Sequence, residues 1–102
     1  MLITTIENIG RNYEVIGIAK GTTVNSKNIG KYIGASFKTI IGGEIRGYTD
    51  MIEEAQEEAI VRMTNDAAGK GADAVIGFRL STSSVMQGAS EITAYGTAVR
   101  FI

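Results

Sequence analysis

From Asp73 to Ile102 the chain reads as two long extended segments joined by Gln87-Gly88-Ala89-Ser90, and this pattern limits the possible folds most strongly. Ala74, Ile76, Phe78 and Leu80 alternate with Val75, Gly77, Arg79 and Ser81 in a segment that runs to Met86. The return segment, Glu91–Ile102, puts Thr93, Tyr95, Thr97, Val99 and Phe101 on one side. Ile92, Ala94, Gly96, Ala98 and Ile102 fall on the other, so both sides are apolar or small. A sheet with one wet face alternates more sharply. The second face is therefore expected to be covered at least in part. A homo-oligomer supplies that cover economically, and a bent sheet with a small-residue outer face is the alternative.

The hairpin needs a helical partner, and one lies just upstream. Between about Tyr48 and Ala68, an apolar face is formed by Met51, Ile52, Ala55, Ala59, Met63 and Ala67. Glu53, Glu54, Glu57, Glu58 and Arg62 load the opposite face, with Glu58 and Arg62 at pairing distance. Thr49 or Asp50 is placed to cap it, and Gly69-Lys70-Gly71 ends it. Such a helix is roughly 30 Å long, whereas a strand from Asp73 to Met86 spans roughly 45 Å, so the hairpin should overhang its cover. A further helix is expected over Ser26–Ile41, where Ile29, Tyr32, Ile33, Phe37, Ile40 and Ile41 keep helical spacing and Gly42-Gly43 follows. Two strands precede it, Leu2–Ile6 and Tyr13–Gly21. In the second, Ile16 and Ile18 face one way and Tyr13, Val15, Gly17 and Ala19 the other. The order is β-β-α-α-β-β. It predicts one α+β domain over residues 1–102, an antiparallel sheet packed against two helices.

Composition removes whole classes of chemistry. Cysteine and histidine are both absent, which excludes disulfides, thiolate nucleophiles, imidazole bases and the ordinary zinc, copper and haem sites. Ten Lys plus Arg against eleven Asp plus Glu leave a net charge of −1, so no global field draws in nucleic acid or an anionic membrane. The aromatics are not interleaved with the scattered basic residues along the chain. No run approaches the roughly 20 apolar residues of a membrane span. Met1-Leu2-Ile3-Thr4-Thr5-Ile6-Glu7 lacks the basic start and long apolar stretch of a secretory leader, and a soluble cytoplasmic domain is expected.

The candidate sites are few. Glu53, Glu54, Glu57 and Glu58 share a helix face and suit a hard cation such as calcium, magnesium or manganese, but a solvated acidic face explains them more simply. The loop Gly42–Gly47 resembles a phosphate cradle without its lysine, and Glu44 repels an anion, so a tight inter-helix turn is the better reading. Gly30-Lys31-Tyr32-Ile33-Gly34 marks a close backbone approach and nothing chemical. Met51 and Met63 lie on the core stripe and serve packing. Ser81–Ser84 could act as nucleophiles only with Lys20 or Lys70 as base, and no spacing supports that. No catalytic, cofactor or metal residue is assigned.

Several stretches together resemble the YbjQ-like family of small bacterial proteins, which carries a heavy-metal-binding label. They are Asn28-Ile29, Ile40-Ile41-Gly42-Gly43 with Tyr48 after it, Glu54-Ala55 with Ala59, Gly71-Ala72-Asp73-Ala74-Val75-Ile76-Gly77, and Gly96-Thr97-Ala98-Val99. Their order and spacing run nearly end to end. The resemblance implies a dodecin-like subunit in a homopentameric ring. Departures are also present: Glu44 stands where the family often has Arg, with Arg46 later, and Arg79, Ser81 and Ser83 replace alternating acidic residues. With no Cys or His, little supports the metal label. The sequence thus favours an assembly or binding role for a self-associating domain, with no nucleic-acid or membrane partner. A carboxylate- and carbonyl-lined metal or small-ligand carrier is the alternative, and an enzyme with an inter-subunit site comes third. Val75 and Val99 are expected at subunit contacts.

Overall fold

The alternating segments and the alanine-rich helix assemble into a two-layer α+β unit. The computed structural model describes residues 1–25, 46–86 and 89–102. Strand β1 is Leu2–Ile3, β2 Tyr13–Asn25, β3 Ala74–Met86 and β4 Ala89–Phe101, and helix α1 is Arg46–Gly69. The expected helix over Ser26–Ile41, its Gly30–Gly34 spacing and the Gly42-Gly43 stop lie outside the described residues. The sheet order is β1-β3-β4-β2.

The sheet is mixed, where the sequence predicted an antiparallel one. β4 runs antiparallel to both β2 and β3, but β1 runs parallel to β3, with Leu2 opposite Ala74 and Ile3 opposite Val75. The reason is the connection: residues 4–12 cross from one edge of the sheet to the other instead of turning back as a hairpin. Along the way, Thr4 N–H donates to Val75 O, while Phe78 N–H and Gly77 N–H donate to Thr4 O and Ile6 O. The crossing segment also covers one end of the outer sheet face. Ile9 and Tyr13 pack there with Phe101 over the buried Ala74, Ile76 and Val99. Part of the cover expected from a second subunit is therefore supplied by the chain itself.

Two bulges overturn the predicted faces. The register slips at Ile16, so Tyr13, Val15 and Ile18 lie on the outer face while Ala19 points under the helix. It slips again between Ile76 and Arg79, where Gly77 adopts φ +62°, a left-handed conformation that side chains resist and that adds one unpaired residue. One extra residue reverses parity. Val75 joins Phe78 and Leu80 on the helix side, and Ala74 and Ile76 share the outer side with Arg79, Ser81 and Ser83. β4 has the faces read from its sequence, with Ile92, Ala94 and Ala98 fully buried.

Helix α1 buries the predicted stripe of Met51, Ala55, Ala59, Met63 and Ala67. It begins at Arg46, so Thr49 and Asp50 lie within its first turns rather than at its cap. Its end is a Schellman closure, in which Ala72 N–H donates to Ala67 O and Gly71 N–H to Ala68 O. Because the stripe is mostly alanine, the helix sits low on β2 and β4 and barely reaches β3. The closest approach is at Gly21, where a Cβ would collide with the Met63 nitrogen, the Ala59 carbonyl oxygen and the Arg62 Cβ.

That proximity lets the helix finish the sheet. Strand β2 is an edge, and its outward backbone groups meet three side chains four residues apart on α1. Arg62 Nη1 donates to Thr22 O at 2.6 Å, the Asp66 carboxylate accepts from Lys20 N–H at 3.0 Å, and Lys70 Nζ donates to Ile18 O at 2.8 Å. Alternate strand residues recur about every 6.8 Å and helix turns of four residues about every 6 Å, so the two ladders stay in step over three rungs. Lys70 also bonds Asp66 at 3.1 Å, and Arg62 bonds Glu58 at 2.5 Å. The helix thereby takes the place of a neighbouring strand along an edge that would otherwise pair with another chain.

Two outcomes are expected. Gly21→Ala forces α1 off the sheet and should lower unfolding stability by about 1–3 kcal/mol, as overpacking does, measured by urea titration. The Lys20 N–H and then the Lys70 ammonium favour ionised Asp66 and hold its carboxyl below the ordinary aspartate value. A depressed folded-state value gives stability that is present above the unfolded value and lost as pH falls through the folded one. The stability difference between wild type and Asp66→Asn should therefore be open at neutral pH and close in acid, as denaturant midpoints across pH would show.

Candidate functional site

The outer face of the sheet carries the polar side chains that packing does not use. Its rungs follow from the register. Ile18 aligns with Thr97 and Ile76, and Lys20 aligns with Tyr95 and Arg79. Next come Thr22, Thr93 and Ser81, then Val24, Glu91 and Ser83. The Thr22 and Thr93 hydroxyls are bonded at 3.1 Å. Ile18 is 69% exposed and Val24 57%. The face is therefore a band of hydroxyls and cations bordered by uncovered aliphatic side chains.

The structure separates most residues that the sequence singled out. Glu53, Glu54 and Glu57, with Asp50, line a shallow depression of about 510 Å³ on the solvent side of α1, and Glu58 turns to Arg62. Among the described residues no three acidic side chains are grouped to hold a metal ion. Met51 and Met63 are core residues, as expected. Gly47 belongs to α1, and the rest of the Gly42–Gly47 loop, with Glu44, lies outside the described residues.

The Ser–Lys idea finds no geometry here. Lys70 is held at the β2 edge by Ile18 O and Asp66. Lys20 lies on β2, two strand spacings across and one rung along from Ser81 on β3, about 12 Å away. Val75 and Val99, expected at subunit contacts, are fully buried within one chain. Val75 packs under α1, and Val99 packs beneath the crossing N-terminal segment.

What sequence reading missed is the Lys20–Tyr95–Arg79 rung. Its members come from three strands, and the second bulge decides which way Arg79 faces. No local spacing signals it. The basic residues look scattered along the chain, yet two of them flank one aromatic ring in space.

Relatives match this chain along nearly its whole length. The chain is 55% identical over 101 residues to a UPF0145 protein of Clostridioides difficile, covering 97% of this chain and 90% of that one. It is 54% identical over 101 residues to a UPF0145 protein of Photobacterium profundum, with 98% of each covered. A crystal structure from Pediococcus pentosaceus, titled as a protein of unknown function in the DUF74 family, superposes with a TM-score of 0.69 at 21% identity. The match covers 100% of this chain and 98% of that one, and it establishes shared fold alone. None of these names assigns a reaction. No helix among the described residues is long and apolar enough to cross a membrane. The YbjQ family profile, described as "Putative heavy-metal-binding", matches residues 1–102, and the chain belongs to that family.

Proposed function

We propose that this protein is a self-associating binding domain that works as a ring of copies and does not catalyse a reaction. One observation carries the reading: aliphatic side chains along β2, Val15, Ile18 and Val24, are more than half exposed although each belongs to a paired strand. Strand positions of this kind are ordinarily half-buried, and aliphatic side chains uncovered at both ends of a polar band mark an interaction surface. A second copy is the simplest cover for it. The dodecin-like subunit and the count of five are what the family resemblance implies, and the cytoplasm is the compartment we propose for it.

The metal label is set aside on donor chemistry. Soft or borderline metals are selected by thiolate and imidazole, and the sequence contains neither. Calorimetric titration of zinc and copper into chelator-free protein should show no saturable binding. Stoichiometric uptake of either would restore the carrier reading.

Assembly is tested on the strip itself, not on the buried Val75 or Val99. Ile18→Lys and Val24→Lys, alone and combined, should convert oligomer to folded monomer in sedimentation velocity with circular dichroism unchanged. A wild-type monomer, or an intact oligomer in the double variant, would sink the proposal.

A further inference from the structure

We propose that the rung Lys20–Tyr95–Arg79 on the outer sheet face binds a small organic anion with a flat ring, of the mononucleotide class. The first argument is the fate of the charges. Among the described basic side chains, Arg62 pairs with Glu58, Lys70 with Asp66 and Arg100 with Glu14, and Arg11 stacks on the Phe101 ring at 3.8 Å. Arg79 has neither a carboxylate nor a ring partner among the described residues. Lys20 forms no direct ion pair, although its charge acts at longer range on the Asp66 carboxylate that accepts its backbone N–H. The register places these two on either side of the same tyrosine. Glu7 and Glu91 border the rung, one near Gly77 and the other beside Val24 and Ser83, and neither forms an ion pair with it.

Arg79 is also positioned. Its Nη1 donates to Phe78 O at 2.7 Å and Thr5 O at 3.2 Å, two backbone oxygens that anchor one arm of the guanidinium. Nη2 and Nε are left as a free donor edge among the described residues, the geometry that grips phosphate or carboxylate through two parallel hydrogen bonds. Tyr95 stands beside it, 41% exposed, with a ring face that can take a flat ligand. Lys20 lies about 10 Å from Arg79 across two strand spacings, close to the length of a nucleotide from phosphate to base. The adjoining Thr22, Thr93 and Ser81 hydroxyls offer hydrogen bonds to a sugar. The assignment is therefore phosphate at Arg79, flat ring on Tyr95, and the oxygen and nitrogen acceptors of the far end at Lys20.

This site shares the outer face of β2 with the assembly strip, lying between Ile18 and Val24, so the titration that tests it is repeated on the Ile18→Lys, Val24→Lys double variant, where AMP binding reports on the rung apart from assembly. The experiment is isothermal titration of AMP, adenosine and inorganic phosphate into the wild-type protein, with sedimentation velocity on the same samples. AMP should bind saturably at one per chain, and adenosine and phosphate each about tenfold or more weaker, since each lacks one half of the contact. Lys20→Gln, Arg79→Gln and Tyr95→Ala should each weaken AMP about tenfold with sedimentation unchanged, and Tyr95→Phe should retain most of the affinity. Absence of saturable AMP binding overturns the proposal, as does binding that the three variants leave intact. Affinity for oligodeoxynucleotides that climbs with their length would also overturn it, in favour of a polymer-binding face.

Discussion

The low seat of α1 on β2 is the constraint on which the remaining arrangement depends. Alanine at the helix contact and glycine at position 21 bring helix backbone almost onto strand backbone. Larger side chains would bury more apolar area, at about 25 cal/mol per Å², but would lift the helix away. Lifted, Arg62, Asp66 and Lys70 would no longer reach the outward groups of Ile18, Lys20 and Thr22. The small residues thus exchange some hydrophobic burial for a closed sheet edge. The same seat leaves one imperfection: the Thr23 hydroxyl is buried without a hydrogen-bond partner among the described residues, a position that ordinarily costs stability.

Much of this fold is legible along the chain because its periods are local. The α1 stripe needs only a repeat of about 3.6 residues, and β4 needs only alternation, so both were readable from composition at fixed spacing. The strands that failed did so for one physical reason. A bulge inserts a single residue, and with a period of two that reverses every later side chain, as happens after Ile16 and again at Gly77. Neither position announces itself: Gly17 and Gly77 look alike in sequence, one a small residue in each strand. The parallel placement of β1 was equally hidden, because the direction of a two-residue strand is set by where residues 4–12 cross and not by its own composition.

The candidate site fell outside sequence reach on the same grounds. Lys20, Arg79 and Tyr95 are meaningful only after three strands are in register and the second bulge has set parity. The glutamates of α1 illustrate the converse. Their helical spacing made them conspicuous, yet the fold leaves them on a solvent-facing helix surface, with one drawn off by Arg62. Prominence along the chain and convergence in space are separate properties, and here they select different residues.

Strand β2 pairs with β4 over nearly its whole length, from Tyr13 opposite Phe101 to Asn25 opposite Ser90. During synthesis the early strand therefore emerges long before the residues that will hold it. Until β4 leaves the ribosome, Val15, Ile18 and Val24 have no β-partner, and α1 can only rest on an unpaired strand. The topology postpones cooperative folding until the second half of the hairpin arrives, which is the situation in which loop-closure entropy slows a chain and nascent strands meet chaperones.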